Sequence, residues 1–225
     1  MLKFGKKDKK DKKKAKKVEE ESVEETSEEE EQEEGKKVTL VDLLGGGEEG
    51  PEGRSIMFVG EVTEEKSADL ISALLVLAQT KDEEAERAED IKLYISTYGG
   101  SADEMFAIYD VMNFCKQFCD IQTIGIGKVM SAGTLLLAGG TKGKRYLGKH
   151  CRVMIHSVNG GSMGELHNLQ NEMEQIAGLQ ESYIQAMSDE TSMTKRQIQT
   201  LINKKINVYL SADEAIEKGL ADEVL

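Results

Sequence analysis

The stretch IGKVMSAGTLLLAGGT, Ile126 to Thr141, sets one serine between an apolar strand end and a short apolar run closed by paired glycines. Ser131 to Ala138 read as a helix, and Gly139-Gly140 end it, because glycine readily takes the left-handed cap conformation. A second stretch, RVMIHSVNGG from Arg152, brings a lone histidine, His156, to the end of another apolar strand. A hydroxyl becomes a useful nucleophile when a base takes its proton and nearby donors receive the charge that develops on the substrate oxygen. Ala132 and Gly133 are small enough to let a carbonyl approach the N–H of Ala132, and the dipole of the helix lies beneath the developing oxyanion. Each residue also has a plainer reading: Ser131 as a helix N-cap, His156 as a core side chain satisfied by backbone. The turn Tyr98-Gly99-Gly100, after the apolar strand Ile91 to Ile95, supplies a third element, since it can present the N–H of Gly100 to the same oxyanion. Its plainer reading is an ordinary strand-to-helix turn that needs positive φ.

Working outward, strand and helix signals alternate as in a βα protein. A strand at Ser55 to Val59 precedes a helix at Ser67 to Gln79, whose Leu70, Ile71, Leu74, Leu75 and Leu77 form an apolar stripe. Lys81 to Asp90 is acidic and reads as an exposed loop or helix end. Strand Ile91 to Ile95, helix Ala102 to Phe118, strand Ile121 to Ile126, helix Ser131 to Ala138 and strand Arg152 to Ile155 follow. A long helix from Glu165 to Met187 carries Leu166, Leu169, Met173, Ile176, Leu179, Ile184 and Met187 at three- to five-residue spacing. Such a stripe suits a helix that packs on another surface rather than inside the core. No 20–50-residue sequence period marks a repeat array.

The ordered series LYISTYGG (Leu93 to Gly100), IYDVM (Ile108 to Met112), MSAG (Met130 to Gly133), TKGKRY (Thr141 to Tyr146), RVMIH (Arg152 to His156) and LSADEAIEKGLAD (Leu210 to Asp222) resembles the proteolytic subunit of the Clp protease (ClpP) family. The resemblance runs from about Arg54 to Leu225. It implies an α/β fold of the ClpP/crotonase type, a superhelix of repeated ββα units with a protruding handle helix. It also implies a serine endopeptidase that cleaves unfolded polypeptides inside a self-compartmentalised barrel. Ser131 would be the nucleophile, His156 the general base, and Gly100 and Ala132 the oxyanion donors, with Gly99, Gly160 and Gly161 along the substrate backbone. The long helix would be the handle that joins two heptameric rings of a homo-oligomer, and an ATP-dependent AAA+ unfoldase would feed the barrel. No cofactor and no metal are implied.

Three positions depart from the family pattern. The residue matching the third triad member, ordinarily aspartate, is Asn207 in NVYLSADEA. Asparagine can orient an imidazole through its side-chain oxygen but supplies no full negative charge to an imidazolium. Tyr98 stands where a proline usually precedes the paired glycines, and Ser157-Val158 replace the proline after the histidine. A second function follows from Asn207: a weakly active or non-catalytic ring subunit of a Clp-type complex. A phage capsid-maturation protease is a further setting for the same site. An acyl-CoA-type enzyme shares the fold, but the pairing of Ser131 with His156 argues against it.

The chain has 225 residues, 39% of them hydrophobic, and a formal net charge of −13, enough for one domain with a sizeable core. That domain is expected over residues 51–225. Residues 1–50 read as a disordered charged tail and linker: ten lysines face two aspartates from Met1 to Lys17, and eleven glutamates run from Glu19 to Glu34 without a basic residue. The basic block lacks interleaved aromatics, which argues against nucleic acid. No stretch reaches the ~18 apolar residues of a membrane span, and the charged start has no apolar signal core, so a cytoplasmic location without membrane contact is expected. Cys115, Cys119 and Cys151 make an odd count without metal-ligand spacing and read as free thiols, the first two sharing a helix face.

Overall fold

A computed structural model describes residues 51–225 apart from Ser162; the charged tail expected over residues 1–50 lies outside them. A single 3₁₀ turn at Pro51–Arg54 leads into β1 (Ser55–Val59). The elements after it are α1 (Glu64–Gln79), β2 (Ile91–Thr97), α2 (Ala102–Cys115), β3 (Ile121–Met130), α3 (Ala132–Ala138), β4 (Arg145–Leu147) and β5 (Arg152–Ile155). Then come α4 (Leu166–Glu190), α5 (Lys195–Ile202), β6 (Val208–Leu210), α6 (Ala212–Glu217) and β7 (Glu223–Val224). The alternation expected of an α/β protein is the observed one, and the acidic Lys81 to Asp90 segment carries neither helix nor strand.

The strands form one seven-stranded sheet in the order β1-β2-β3-β4-β7, with β5 branching from β3 and β6 pairing β5. All pairings are parallel except β5 with β6. The branch is made inside β3. Its first half pairs β4 (Thr123↔Arg145 to Gly125↔Leu147), and its second half pairs β5 (Lys128↔Arg152 to Met130↔Met154). Between the halves the register against β2 jumps from Ile95↔Gly125 to Thr97↔Val129, a bulge that re-aims the strand. Gly127, at φ 67°, occupies the bend in a conformation costly for residues with a Cβ. Strand β3 therefore continues to Met130 rather than stopping at Ile126, because a bulge interrupts the apolar alternation without ending the pairing.

Helix boundaries shift for local reasons. Helix α1 starts at Glu64, earlier than the apolar stripe, since Thr63 caps it by accepting from the Lys66 N–H and Glu64 and Glu65 complement the dipole. Helix α2 stops at Cys115 rather than Phe118: the Phe118 and Cys119 N–H groups both turn back to the Cys115 carbonyl, 2.9 and 3.1 Å. All three cysteines are free and buried, and burial pushes the Cys115 and Cys151 thiols up to about 11. Helices α1 and α2 bury Leu70, Leu74, Met105, Ile108 and Met112 in the core, and α3 is buried on all sides. Helix α4 is different: its buried residues, Tyr183, Ile184, Ala186 and Met187, lie near its C-terminal end, while Leu166 and Met173 are exposed. No helix among the described residues is long and apolar enough to cross a membrane.

The C-terminal ends of α3 and α4 meet at Arg145. Its guanidinium donates to the Ala138 carbonyl at 3.2 Å, the Glu190 carbonyl at 2.7 Å, and Asp222 at 2.9 Å from Nε and 2.6 Å from Nη2. Burial resists charging Asp222, but the hydrogen bonds and charge of Arg145 outweigh it and hold the carboxyl below the ordinary carboxylate range. The Arg145 side chain is 5% exposed, so removing its partner leaves a buried charge. Asp222→Asn is expected to destabilise by about 3 kcal/mol, read as a lower urea midpoint. Because the folded pKa is depressed, this contribution is complete above the unfolded carboxylate pKa and is lost as pH falls through the folded one. The gap between wild type and Asp222→Asn should therefore narrow on acidification through that window.

Candidate active site

Ser131 follows β3 and precedes α3, at φ 54° and ψ −122°, a conformation seldom taken by non-glycine residues and costing roughly 1–3 kcal/mol. Its backbone is pinned on both sides: the N–H donates to the Met154 carbonyl at 2.8 Å, and the carbonyl accepts from the Thr134 N–H at 2.9 Å. Gly99 makes room for it, since a Cβ on Gly99 would stand 2.5 Å from the Ser131 Cβ. The plainer reading of Ser131 fails on geometry. It holds the N-cap position, yet its hydroxyl makes no capping bond and lies instead 2.7 Å from His156 Nε2.

Sheet register brings the pair together. Met130 is opposite Met154 in the parallel β3–β5 ladder, so Ser131 and His156 both leave the carboxyl ends of adjacent strands, the usual place for reactive groups in such sheets. His156 is half-buried, and burial lowers its pKa from 6.5, which keeps the imidazole neutral and able to accept a proton. A neutral ring with Nε2 toward Ser131 carries its proton on Nδ1.

Gly100 and Ala132, the expected oxyanion donors, line the same cavity as the pair. The Val62 N–H donates to the Gly99 carbonyl at 2.8 Å, and the Ser101 N–H donates to the Val62 carbonyl at 3.0 Å. In such a parallel bridge the intervening Gly100 N–H points away from Val62, and Gly100 itself lines the cavity. Ala132 opens α3, and its N–H belongs to the first turn, where no intrahelical acceptor exists. Both glycine turn and helix start border a cavity of about 440 Å³ that also holds Ser131 and His156. Its apolar wall is Met105 from α2 with Ile176, Leu179 and Tyr183 from α4.

The remaining expected residues are distributed less evenly. Asn207 immediately precedes β6, and extending the Ile155↔Val208 register by one step sets it opposite His156. It is exposed, and among the described residues no hydrogen bond joins the two side chains. Gly160 packs toward Ile176, and Gly161 is exposed; neither borders the cavity, whereas Asn159 does. Tyr98 is 69% exposed at the cavity rim, with the Lys128 ammonium 4.6 Å above its ring. Sequence reasoning missed the α4 wall and the hydroxyl of Thr134, which lies 2.6 Å from the Ser131 carbonyl. Helical spacing marked Ile176 and Leu179 as apolar but did not say which surface they face.

Comparison with known proteins identifies the family. The family model described as Clp protease matches residues 51–225. The protein named ATP-dependent Clp protease proteolytic subunit 2 of Thermobifida fusca (strain YX) is 35% identical over 170 residues, covering 76% of this chain and 80% of that protein. The protein of the same name from Parasynechococcus marenigrum (strain WH8102) is also 35% identical over 170 residues, with 76% and 82% covered. With the match spanning the described residues and both cavity strands, the chain belongs to the Clp protease family.

Proposed function

We infer that this chain is a serine endopeptidase that cleaves unfolded polypeptide within a self-compartmentalised barrel supplied by an ATP-dependent unfoldase. The observation that carries the reading is the 2.7 Å contact between Ser131 Oγ and His156 Nε2 in a cavity that Gly100 and Ala132 also line. As Ser131 Oγ bonds to the substrate carbonyl carbon, His156 Nε2 takes its proton, and the N–H groups of Gly100 and Ala132 receive the negative oxygen. His156 then returns the proton to the leaving amine as the C–N bond breaks. Water, activated by the same imidazole, attacks the acyl-enzyme and releases the new carboxyl end. Asn207 is the orienting residue in this scheme, its amide oxygen accepting from Nδ1–H across the β5–β6 pair. The outward, partly apolar half of α4 supports assembly of homo-oligomeric rings stacked through that helix.

Asn207 also favours a second reading, a ring subunit with little activity of its own. Without a carboxylate the imidazolium is less stabilised, and the amide can hold the wrong tautomer, an effect of about 10⁴ in another serine protease scaffold. Hydrolysis of a fluorogenic peptide by protein whose particle mass is checked by light scattering separates the two. Ser131→Ala is expected to abolish turnover, a loss on the order of 10⁶ where the assay has that range. Asn207→Asp is expected to raise kcat by at least about 10-fold and by no more than about 10⁴. An assembled particle inactive in wild type and in Asn207→Asp, with no phosphonate label on Ser131, would decide for the second reading.

The pH profile gives an independent check. Burial lowers the His156 pKa from 6.5, so kcat/KM should hold its plateau below that value and fall only on further acidification. A carboxylate at position 207 favours the imidazolium, so Asn207→Asp should move the acid limb to higher pH.

A further inference from the structure

Tyr183 stands in the wall of the site cavity at 5% exposure, and the reaction above makes no use of it. Its hydroxyl is 2.7 Å from Thr134 Oγ1, which is itself 2.6 Å from the Ser131 carbonyl oxygen. The carbonyl has no proton to give, so Thr134 donates its single hydroxyl proton there and Tyr183 donates to Thr134. Burial pushes the Tyr183 hydroxyl up to about 12, which keeps it a donor.

A threonine that bonds the carbonyl three residues back is ordinary in a first helical turn. What distinguishes this one is its outer donor and its acceptor. The donor arrives from α4, 49 residues along the chain. The acceptor is the carbonyl of the residue at φ 54° and ψ −122°. That carbonyl and the Ala132 N–H are opposite ends of one planar peptide unit, so fixing the oxygen fixes the direction of the N–H. A hydrogen-bond chain ending on the oxygen also polarises the unit and strengthens the N–H as a donor.

We propose that Tyr183 and Thr134 are positioning residues that hold the Ser131–Ala132 peptide so that its N–H meets the oxyanion. The inference rests on the reading of Ser131 as nucleophile and Ala132 as oxyanion donor. It makes the docked end of α4 part of the catalytic apparatus, because the relay exists only while Tyr183 is seated.

The test compares Tyr183→Phe, Thr134→Val, Thr134→Ser and the double variant Tyr183→Phe/Thr134→Val, with Ser131→Ala alongside. Three quantities are read in each: peptide hydrolysis, affinity for a peptide boronate that forms a tetrahedral adduct, and amide deuterium exchange across Met130 to Leu136. Outright loss of an oxyanion donor costs on the order of 10²–10³ in kcat, and a loosened donor costs less. Tyr183→Phe and Thr134→Val should each lower kcat by about 10-fold with KM unchanged. Boronate affinity should fall by the same factor, exchange should rise, and Thr134→Ser should behave as wild type. The double variant should be no worse than the poorer single one, since both remove the same relay. Unchanged kcat and exchange in Tyr183→Phe, a raised KM at constant kcat, or additive losses would each overturn the proposal. If Ser131→Ala still hydrolyses peptide, the nucleophile reading fails by itself. Exchange in Tyr183→Phe then decides the relay alone: a rise keeps it, and no change removes it.

Discussion

The buried guanidinium of Arg145 is the constraint on which the rest of the arrangement leans. Two helices, α3 and α4, end with their carbonyl groups pointing at it, and Asp222 from near the chain's end completes its coordination. The negative ends of both helix dipoles are thereby satisfied by one cation. Two neighbouring polar side chains reinforce the junction: Lys116 donates to the Gly139 carbonyl at 2.9 Å, and Tyr109 donates to the Glu190 carboxylate at 2.8 Å. Helix α3 is only seven residues long, too short to persist alone. Anchored at its C-terminus and enclosed in the core, it can hold its N-terminus still, and that N-terminus is the wall behind Ser131.

How much of this is legible in the sequence depends on whether the signal is local. Ser131, His156 and the glycine turn each sit where a period changes, from strand alternation to helix or turn, and those changes are visible in MSAG, RVMIH and STYGG. The strand Arg152–Ile155 was legible to the residue because its apolar run is short and bounded by Gly148 and His156. The bulge in β3 was not, since one bent strand with two partners looks like a strand that has ended. The short helices α5 and α6 went unremarked although both carry a capping box, Thr194 with Gln197 and Ser211 with Glu214. Their signals lie in polar residues, which apolar periodicity does not weigh.

Asn207 and Tyr183 show the other limit. Asn207 is legible from its place before VYL, and the register sets it opposite His156, yet no pattern in one strand fixes how two side chains meet. Tyr183 is not among the apolar stripe residues that mark the long helix in the sequence. Its importance comes from a hydroxyl bond to a helix that is remote in sequence, a relation with no local trace. Both cases concern polar atoms whose partners are chosen by tertiary packing, and burial is what makes those partners matter.

The way Ser131 and His156 are joined has a consequence for how such a site fails. Both side chains are carried past the ends of neighbouring parallel strands, and their meeting is an outcome of the ladder that pairs Met130 with Met154. A ladder slides only in whole residues, and a slip by one turns every side chain to the opposite face. The distance between imidazole nitrogen and hydroxyl thus follows the register: damage elsewhere in β5 leaves the pair intact until the strand moves, and a one-residue slip then separates it. Partial misalignment, common in sites hung on loops, has no stable intermediate here.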